Sequence, residues 1–379
     1  MTYDFALLGA TGFTGGLTAD YLAAHAPDGA SWAIAGRSRA KLDAVAGRIA
    51  ATGRATPDVV VADVTDPRSL RALAESTAVL ASTVGPYALH GGPVVAACAE
   101  AGTTYCDLTG EPDFVDRMWL EHHETAVRTG ARLVHSCGFD SVPHDIGVLY
   151  TVRQLPTGVP ITIRGYVRAS GEISGGTYQS ALGGFAAVRT SRSTAQERRR
   201  REPRPEGRRV HSLSERPGRG ASGRGWALPL PTIDPQVVLR SARALPAYGP
   251  DFSYGHYAQF RHLPTAVATT LGLGALAVGV QVPPVRKALL GMKGSGEGPS
   301  EARRARSWFR VRFEAQAGDT RLITEAAGGD PGYTETARML GETMLALSYN
   351  DLPETAGQVT TAVAAGDALM ARLPYFHTL

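Results

Sequence analysis

The sequence predicts an α/β fold in which a doubly wound parallel sheet, with helices on both faces, is joined to a second α+β domain containing an antiparallel or mixed sheet. Three observations carry that expectation. Over the first 136 residues, short apolar runs alternate with amphipathic stretches, the pattern of strands buried on both faces and of the helices that cover them. From Ile161 the pattern changes to alternation, in Ile161 to Ala169, Phe309 to Ala315 and Arg321 to Ala326, with a hairpin turn at Gly318 and Asp319. The 379 residues exceed one typical domain, and at 43% hydrophobic and 20% charged they hold enough apolar side chain for a substantial core. Coiled-coil, collagen-like and wholly disordered chains are thereby excluded.

In order, strands are expected at Phe5 to Leu8, Trp32 to Ala35, Val59 to Ala62, Ala78 to Ser82, Thr104 to Cys106 and Arg132 to His135. Helices lie between them: Leu42, Val45 and Ile49 recur at helical spacing, and Pro93 starts a helix that Gly102 ends. The tail reads as two helices, Thr334 to Leu347 and Val359 to Leu373, which by length could pack on either domain.

Composition narrows the class. Cys98, Cys106 and Cys137 form no CxxC pair, and no His/Cys cluster has metal-ligand spacing, which points to a reducing compartment and to no metal site. No basic stretch with a small-residue cleavage site opens the chain, so a cytoplasmic location is expected. The net charge of +4 hides an asymmetry, because residues 189–224 carry twelve Arg against four Glu. Rich in Pro, Gly and Ser and poor in apolar residues, that stretch reads as a flexible insertion. A solvated loop is the plainest account of it, followed by docking on an acidic carrier protein or anionic lipid. Nucleic acid is not expected, since the stacking aromatics are missing.

The first strand runs into Gly9, Thr11, Gly12, Phe13, Thr14 and Gly15, and then into a helix rich in Leu and Ala. The first glycine permits a tight turn, the second lets a pyrophosphate reach the backbone, and the third lets helix and strand pack closely. The phosphates then sit on a helix N-terminus, where free N–H groups and the helix dipole favour an anion. This is the dinucleotide-binding turn of a Rossmann-type sheet.

The end of the second strand selects the dinucleotide. An NAD site wants an acid there for the ribose 2′-hydroxyl, but no Asp or Glu lies between Ser31 and Leu42. Arg37, Ser38, Arg39 and Lys41 stand there instead and can surround a 2′-phosphate with charge-assisted donors. NADPH is the expected cofactor.

Other strand ends should line the same crevice. Asp63 is placed toward the adenine side, and Thr83, Val84, Gly85 and Pro86 let backbone pass close to the nicotinamide half. Tyr87 and His90 are then candidate proton donors. Asp107 and Glu111 follow the fifth strand, although Glu111, Pro112, Asp113 and Asp116 equally suit an ordinary acidic helix start. The sixth strand leads into a polar stretch from Cys137 to Asp145 that brings Asp140, a further catalytic candidate, between the two domains; Ser141 there also suits a helix cap.

Taken together, GATGFTG, AGRS, TVGPY, YCDLTGE, CGFDSVPHD, SGGTYQS (174–180), GEGP (296–299) and GDPGY (329–333) resemble the saccharopine dehydrogenase-like oxidoreductases, in particular the trans-acting enoyl reductases. The resemblance spans nearly the full length. It implies an NADP-binding domain, residues 1–140 plus 340–379, interrupted by a substrate domain, residues 141–339, with the C-terminal helices returning to the first. It also implies reduction of an enoyl group held as a thioester or lipid-like acyl chain. The chain departs from the family's pattern at Gly357 to Gly366, where a GG and a TP pair are usual, and in the length of its arginine-rich insertion.

Lysine usage bears on the chemistry independently. Only Lys41, Lys287 and Lys293 occur, and none follows a tyrosine by four residues, so neither the Tyr-xxx-Lys pair of short-chain dehydrogenases nor a buried catalytic lysine is easily built. Conjugate reduction asks less: hydride to the β-carbon, donors for the enolate oxygen, and a proton for the α-carbon. Reduction of a C=N or C=O bond, a non-enzymatic NADPH sensor and a membrane-associated adaptor are the rival readings. Leu263 to Val285 is free of charge and bracketed by Arg261, His262, Arg286 and Lys287. Prolines shorten its helical part, so an acyl-chain or peripheral membrane contact or a buried helix is expected ahead of a true span.

A charged hydrogen bond contributes roughly 1.5 to 3 kcal/mol, so Arg37→Ala should raise the NADPH dissociation constant about ten- to a hundred-fold. Titration calorimetry checks this; equal affinity of the unaltered protein for NADH and NADPH would contradict it.

Overall fold

The computed structural model describes residues 3–171, 188–213, 215–282, 284–285, 287–288 and 298–379, without the side chains of 188–191 and 273. Its first half alternates β1 (Tyr3–Leu8), α1 (Phe13–His25), β2 (Trp32–Gly36), α2 (Arg39–Ala50), β3 (Asp58–Val61), α3 (Pro67–Glu75), β4 (Thr77–Ser82), the short α4 (Tyr87–His90), α5 (Gly92–Ala101), β5 (Thr104–Asp107), α6 (Pro112–Thr129), β6 (Arg132–Val134) and α7 (Val142–Val152). These strands are short and rich in Ala, Val and Leu because both faces are covered; all five residues of β2 are buried.

The second half contains β7 (Ile161–Ser170), α8 (Val188–Arg201), β8 (Arg209–Ser212), β9 (Gly218–Arg219), β10 (Trp226–Pro229), α9 (Asp234–Ala244), β11 (Asp251–Phe260), α10 (Leu263–Gly279), α11 (Glu301–Arg304), β12 (Trp308–Ala317) and β13 (Thr320–Gly328). The tail supplies α12 (Thr334–Tyr349), β14 (Gly357–Val359), α13 (Thr361–Arg372) and β15 (Phe376–Thr378).

Seven parallel strands form the first sheet in the order β14-β6-β5-β4-β1-β2-β3. The order reverses beside β1, where ligands enter doubly wound sheets. The second sheet runs β15-β13-β12-β7-β11-β10-β9, with β8 also on β11. It is mixed, because β7 and β8 pair parallel to β11 while β12 and β13 form an antiparallel hairpin. The tail thus contributes β14 to one sheet and β15 to the other.

One core unites the two sheets. Phe5, Leu7 and Ile34 of the parallel sheet belong to the same buried cluster as Ile146 and Leu149 of α7, Met339 and Leu340 of α12, and Val311 and Phe313 of the mixed sheet. A second cluster, with Leu80, Val95, Phe114 and Leu133, covers the opposite face of the parallel sheet.

Two sequence expectations are corrected here. The arginine-rich stretch is not a flexible insertion: it holds α8, β8 and β9, and α8 packs on α6. Arg198, 2% exposed, lies over the Trp119 ring at 5.1 Å and donates to Asp116 at 3.2 Å and Glu202 at 2.9 Å. Arg240 also donates to Asp116, and Arg243 to Glu202. Burial first, and Arg240 second, push the Arg198 guanidinium down to about 10, still charged at neutral pH. A low local apolar content therefore did not prevent burial, because α6 supplies the Trp119 ring and Asp116, and Glu202 at the end of α8 supplies the second acid.

The second correction concerns the apolar segment. It is neither a buried helix nor long enough to cross a bilayer: no helix among the described residues is long and apolar enough for that. Among the described residues of α10 and its end, only Ala266 and Val280 are fully buried, while Leu263, Val267, Leu271, Val278, Val282 and Val285 all stand exposed.

Candidate active site

The turn between β1 and α1 is built by close approach. Gly9 adopts φ +94°, and its N–H donates to the Ala35 carbonyl at 2.8 Å. A Cβ on Gly9 would come within 2.6 Å of Thr83 Oγ1, and one on Gly15 would collide with the Gly9 carbonyl itself. The chain can pack α1 against β1 and β4 only with glycine at both places. Gly12 precedes α1 and offers no side-chain cap, and Thr11 and Gly12 are exposed. The first N–H groups of α1 therefore lack a side-chain acceptor and can receive a phosphate. Thr14 gives its carbonyl to Thr18 within α1, while Phe13 turns away, edge-on to Tyr333 at 4.9 Å and beneath Arg304.

At the end of β2, Arg37 and Lys41 are exposed and Ser38 occupies the N-cap of α2, whose first turn holds no acid. Arg39 is paired with Asp43 at 2.8 Å. Asp63 accepts from the Thr65 N–H and hydroxyl, which hold its carboxyl below the usual range; Arg37 and His90 lower it further. His90 and Arg37 thus both act on the Asp63 carboxylate. Thr83 folds back on β1, its N–H and hydroxyl both donating to the Leu8 carbonyl, while Val84, Gly85 and Pro86 line the partly open strand end.

Two predicted proton donors are committed to the scaffold. The Tyr87 hydroxyl donates to the Ser82 carbonyl at 2.8 Å and accepts from the Leu108 N–H at 3.1 Å, and burial drives its pKa far up. Asp107 is fully buried: Oδ1 accepts from the N–H groups of Thr109 and Ser136, and Oδ2 accepts from Tyr105 and meets His135 Nδ1 at 2.7 Å. Glu111 accepts the N–H groups of Tyr87 and Ala88 that open α4. None of the three keeps a free functional atom for a substrate.

Asp140 differs. It faces Gly110 in the loop after β5, stays partly open, and its carboxyl is pushed up to about 7 by burial first and by Asp234 second, with His144 opposing. Near neutral pH it is about half protonated, where an ordinary aspartate is ionised. Ser141 stands at the N-cap of α7 but directs its hydroxyl to the Asp140 carbonyl, so it caps by position alone. Asp145 is structural, buried and accepting from Ser241, Thr361 and the Ala362 N–H, which ties α7 to α9 and α13.

Sequence reasoning missed the neighbours of Asp140. His144 Nδ1 lies 2.6 Å from Asp234 Oδ1, and His256 Nε2 lies 3.6 Å from Asp234 Oδ2, all three side chains buried. Burial would raise Asp234, but the two histidines outweigh it and hold the carboxyl below its usual range. Burial keeps His256 neutral, lowering it to about 3. These residues come from α7, α9 and β11, so no local spacing announces them. Of the quoted motifs, SGGTYQS and the first half of GEGP lie outside the described residues. In GDPGY, Asp330 Oδ2 accepts from the Thr334 N–H at the start of α12.

A dinucleotide turn, a cationic second strand end and a mixed sheet facing the crevice define an NADPH-dependent oxidoreductase, and the comparisons agree. Residues 5–134 match the saccharopine dehydrogenase NADP binding domain. The chain is 34% identical to a trans-acting enoyl reductase of Mycobacterium ulcerans, over 98% of its own length and 96% of that protein's. A trans-acting enoyl reductase of Mycobacterium bovis is 33% identical, covering 98% and 96%. A probable mitochondrial saccharopine dehydrogenase-like oxidoreductase of Arabidopsis thaliana is 36% identical, covering 64% of this chain and 56% of its own. Apo saccharopine dehydrogenase from Saccharomyces cerevisiae shares the fold, with TM-score 0.54 at 14% identity and 99% of each chain covered. The chain belongs to the trans-acting enoyl reductase family, within the saccharopine dehydrogenase-like oxidoreductases.

Proposed function

We propose that the protein reduces the activated C=C bond of an enoyl acyl thioester or lipid-like acyl chain, taking hydride from NADPH. The observation that carries the reading is Asp140. Of the four residues expected to donate protons, it alone combines a partly open side chain with a carboxyl raised to about 7, able to hold or give a proton near neutral pH. The β1–α1 turn would hold the pyrophosphate of NADPH, and Arg37, Ser38 and Lys41 its 2′-phosphate. The cofactor would supply hydride to the β-carbon; Asp140 would give its proton to the α-carbon as the electron pair of the C=C bond returns from the thioester oxygen, leaving the saturated thioester and NADP⁺. The two lysines among the described residues favour this over reductive amination, since Lys41 and Lys287 are both exposed. The names of the enoyl reductase relatives point the same way.

Asp140→Asn should leave NADPH affinity unchanged and lower kcat for NADPH oxidation with a 2-enoyl thioester by about 10²- to 10⁴-fold. An unchanged kcat would remove Asp140 from the reaction.

A carrier protein or a membrane surface would deliver such a substrate. The outward stripe of α10 supports lipid contact: at 100° per residue, Leu263, Val267, Leu271 and Val278 fall on one face, with no charge between Arg261 and the end of the helix. The unaltered protein should co-sediment with anionic phosphatidylglycerol vesicles, and a Leu271→Glu, Val278→Glu double variant should not. Equal recovery of the two in the pellet argues against this surface.

A further inference from the structure

We propose that His144, Asp234 and His256 form a binding site for a divalent transition cation of the zinc class, at the junction of α7, α9 and β11. The first ground is convergence. One ligand atom from each of the three side chains lies within 4.8 Å of the other two, and two imidazoles with one carboxylate are a ligand set that zinc and its neighbours take. Around a tetrahedral ion, metal–nitrogen and metal–oxygen bonds of about 2.0 to 2.2 Å place ligand atoms about 3.3 to 3.6 Å apart. His256 already lies 3.6 Å from the carboxylate, and His144 would have to draw back from its 2.6 Å contact to admit the cation.

The second ground is what these side chains do not reach. His144 Nδ1 meets Asp234 Oδ1 at 2.6 Å as a buried ion pair, but Nε2 of His144 and Nε2 of His256 are buried without a hydrogen-bond partner among the described residues. Buried imidazole nitrogens left unpartnered beside a carboxylate are rare in a folded interior and mark a missing ion or water. The third ground is orientation. The Tyr254 hydroxyl lies 3.0 Å from His256 Nδ1, leaving Nε2 for the cluster, as an outer partner fixes a ligating imidazole. The fourth is charge. Asp234 is buried, and among the described residues its ion-pair partners are these two histidines alone. A cation would neutralise the carboxylate while the imidazoles remain neutral ligands.

Three protein ligands leave at least one coordination position for water or another small ligand. The cation would fasten α9 and β11 of the substrate side to α7, the first helix after the parallel sheet, beneath the crevice. The assignment rests on these three side chains and makes no use of the reaction proposed above.

The test is metal content. Full-length protein purified without chelator should carry about one equivalent of zinc or another transition metal by plasma mass spectrometry. After chelation, cobalt(II) added to the protein should give the visible absorption of a four- or five-coordinate site and raise the melting temperature. His256→Ala should lose both signals while circular dichroism and NADPH binding persist. Should that variant misfold, His256→Gln is read by the same two signals. Substoichiometric metal with no cobalt spectrum would overturn the proposal in favour of trapped water, and so would cobalt binding that His256→Ala or His256→Gln leaves intact.

Discussion

Everything functional in this molecule depends on a steric constraint at the end of β1. α1 can start where it does only because Gly15 touches the Gly9 carbonyl and Gly9 touches Thr83. That contact packs the first helix onto the middle of the sheet and aims its unfilled N–H groups at the strand-order reversal. The exposed guanidinium of Arg37, on the neighbouring strand end, then stands where the adenosine of a dinucleotide would lie. On the proposed reading, that one local compression would set where the pyrophosphate sits, which end holds the 2′-phosphate, and which strand ends meet the nicotinamide.

The remaining strand ends hold shape by using their polar atoms on one another. Asp107 draws Tyr105, Thr109, His135 and Ser136 around a single carboxylate, and Tyr87 and Glu111 stitch the β4 loop to the β5 loop. Each buried bond contributes about 1 kcal/mol net, but leaving any of these groups unpaired would cost more. A rigid rim leaves few free functional groups, and that scarcity makes Asp140 and the buried trio behind it conspicuous. The tail adds a second restraint, because β14 extends one sheet, β15 the other, and α13 meets α7 between them.

The parallel sheet was readable because its signals are local. Strand runs, the glycine turn and the absence of an acid near Arg37 all lie within short windows, and the first six strands formed within a few residues of their expected bounds; β14, three residues from the tail, was not expected. Failures came where distant residues decide. The arginine-rich stretch looked unable to bury itself, yet Asp116 and Trp119 on α6 offer Arg198 a charged and aromatic seat. Tyr87 and Asp107 looked catalytic by position at strand ends, and only the three-dimensional hydrogen bonds show them occupied. His144 stood in a quoted motif, but Asp234 and His256 carry no pattern that joins them to it. An apolar run likewise announces a helix without saying which of its faces stays bare.

The central claim is that the crevice aligns NADPH with the β-carbon of an enoyl thioester. Its most direct test is NADPH carrying deuterium at the transferable position of nicotinamide C4, turned over with a 2-enoyl thioester and the product read by NMR. The account predicts deuterium on the β-carbon and a solvent-derived hydrogen on the α-carbon. Deuterium on the former carbonyl carbon, or on the α-carbon, would contradict it.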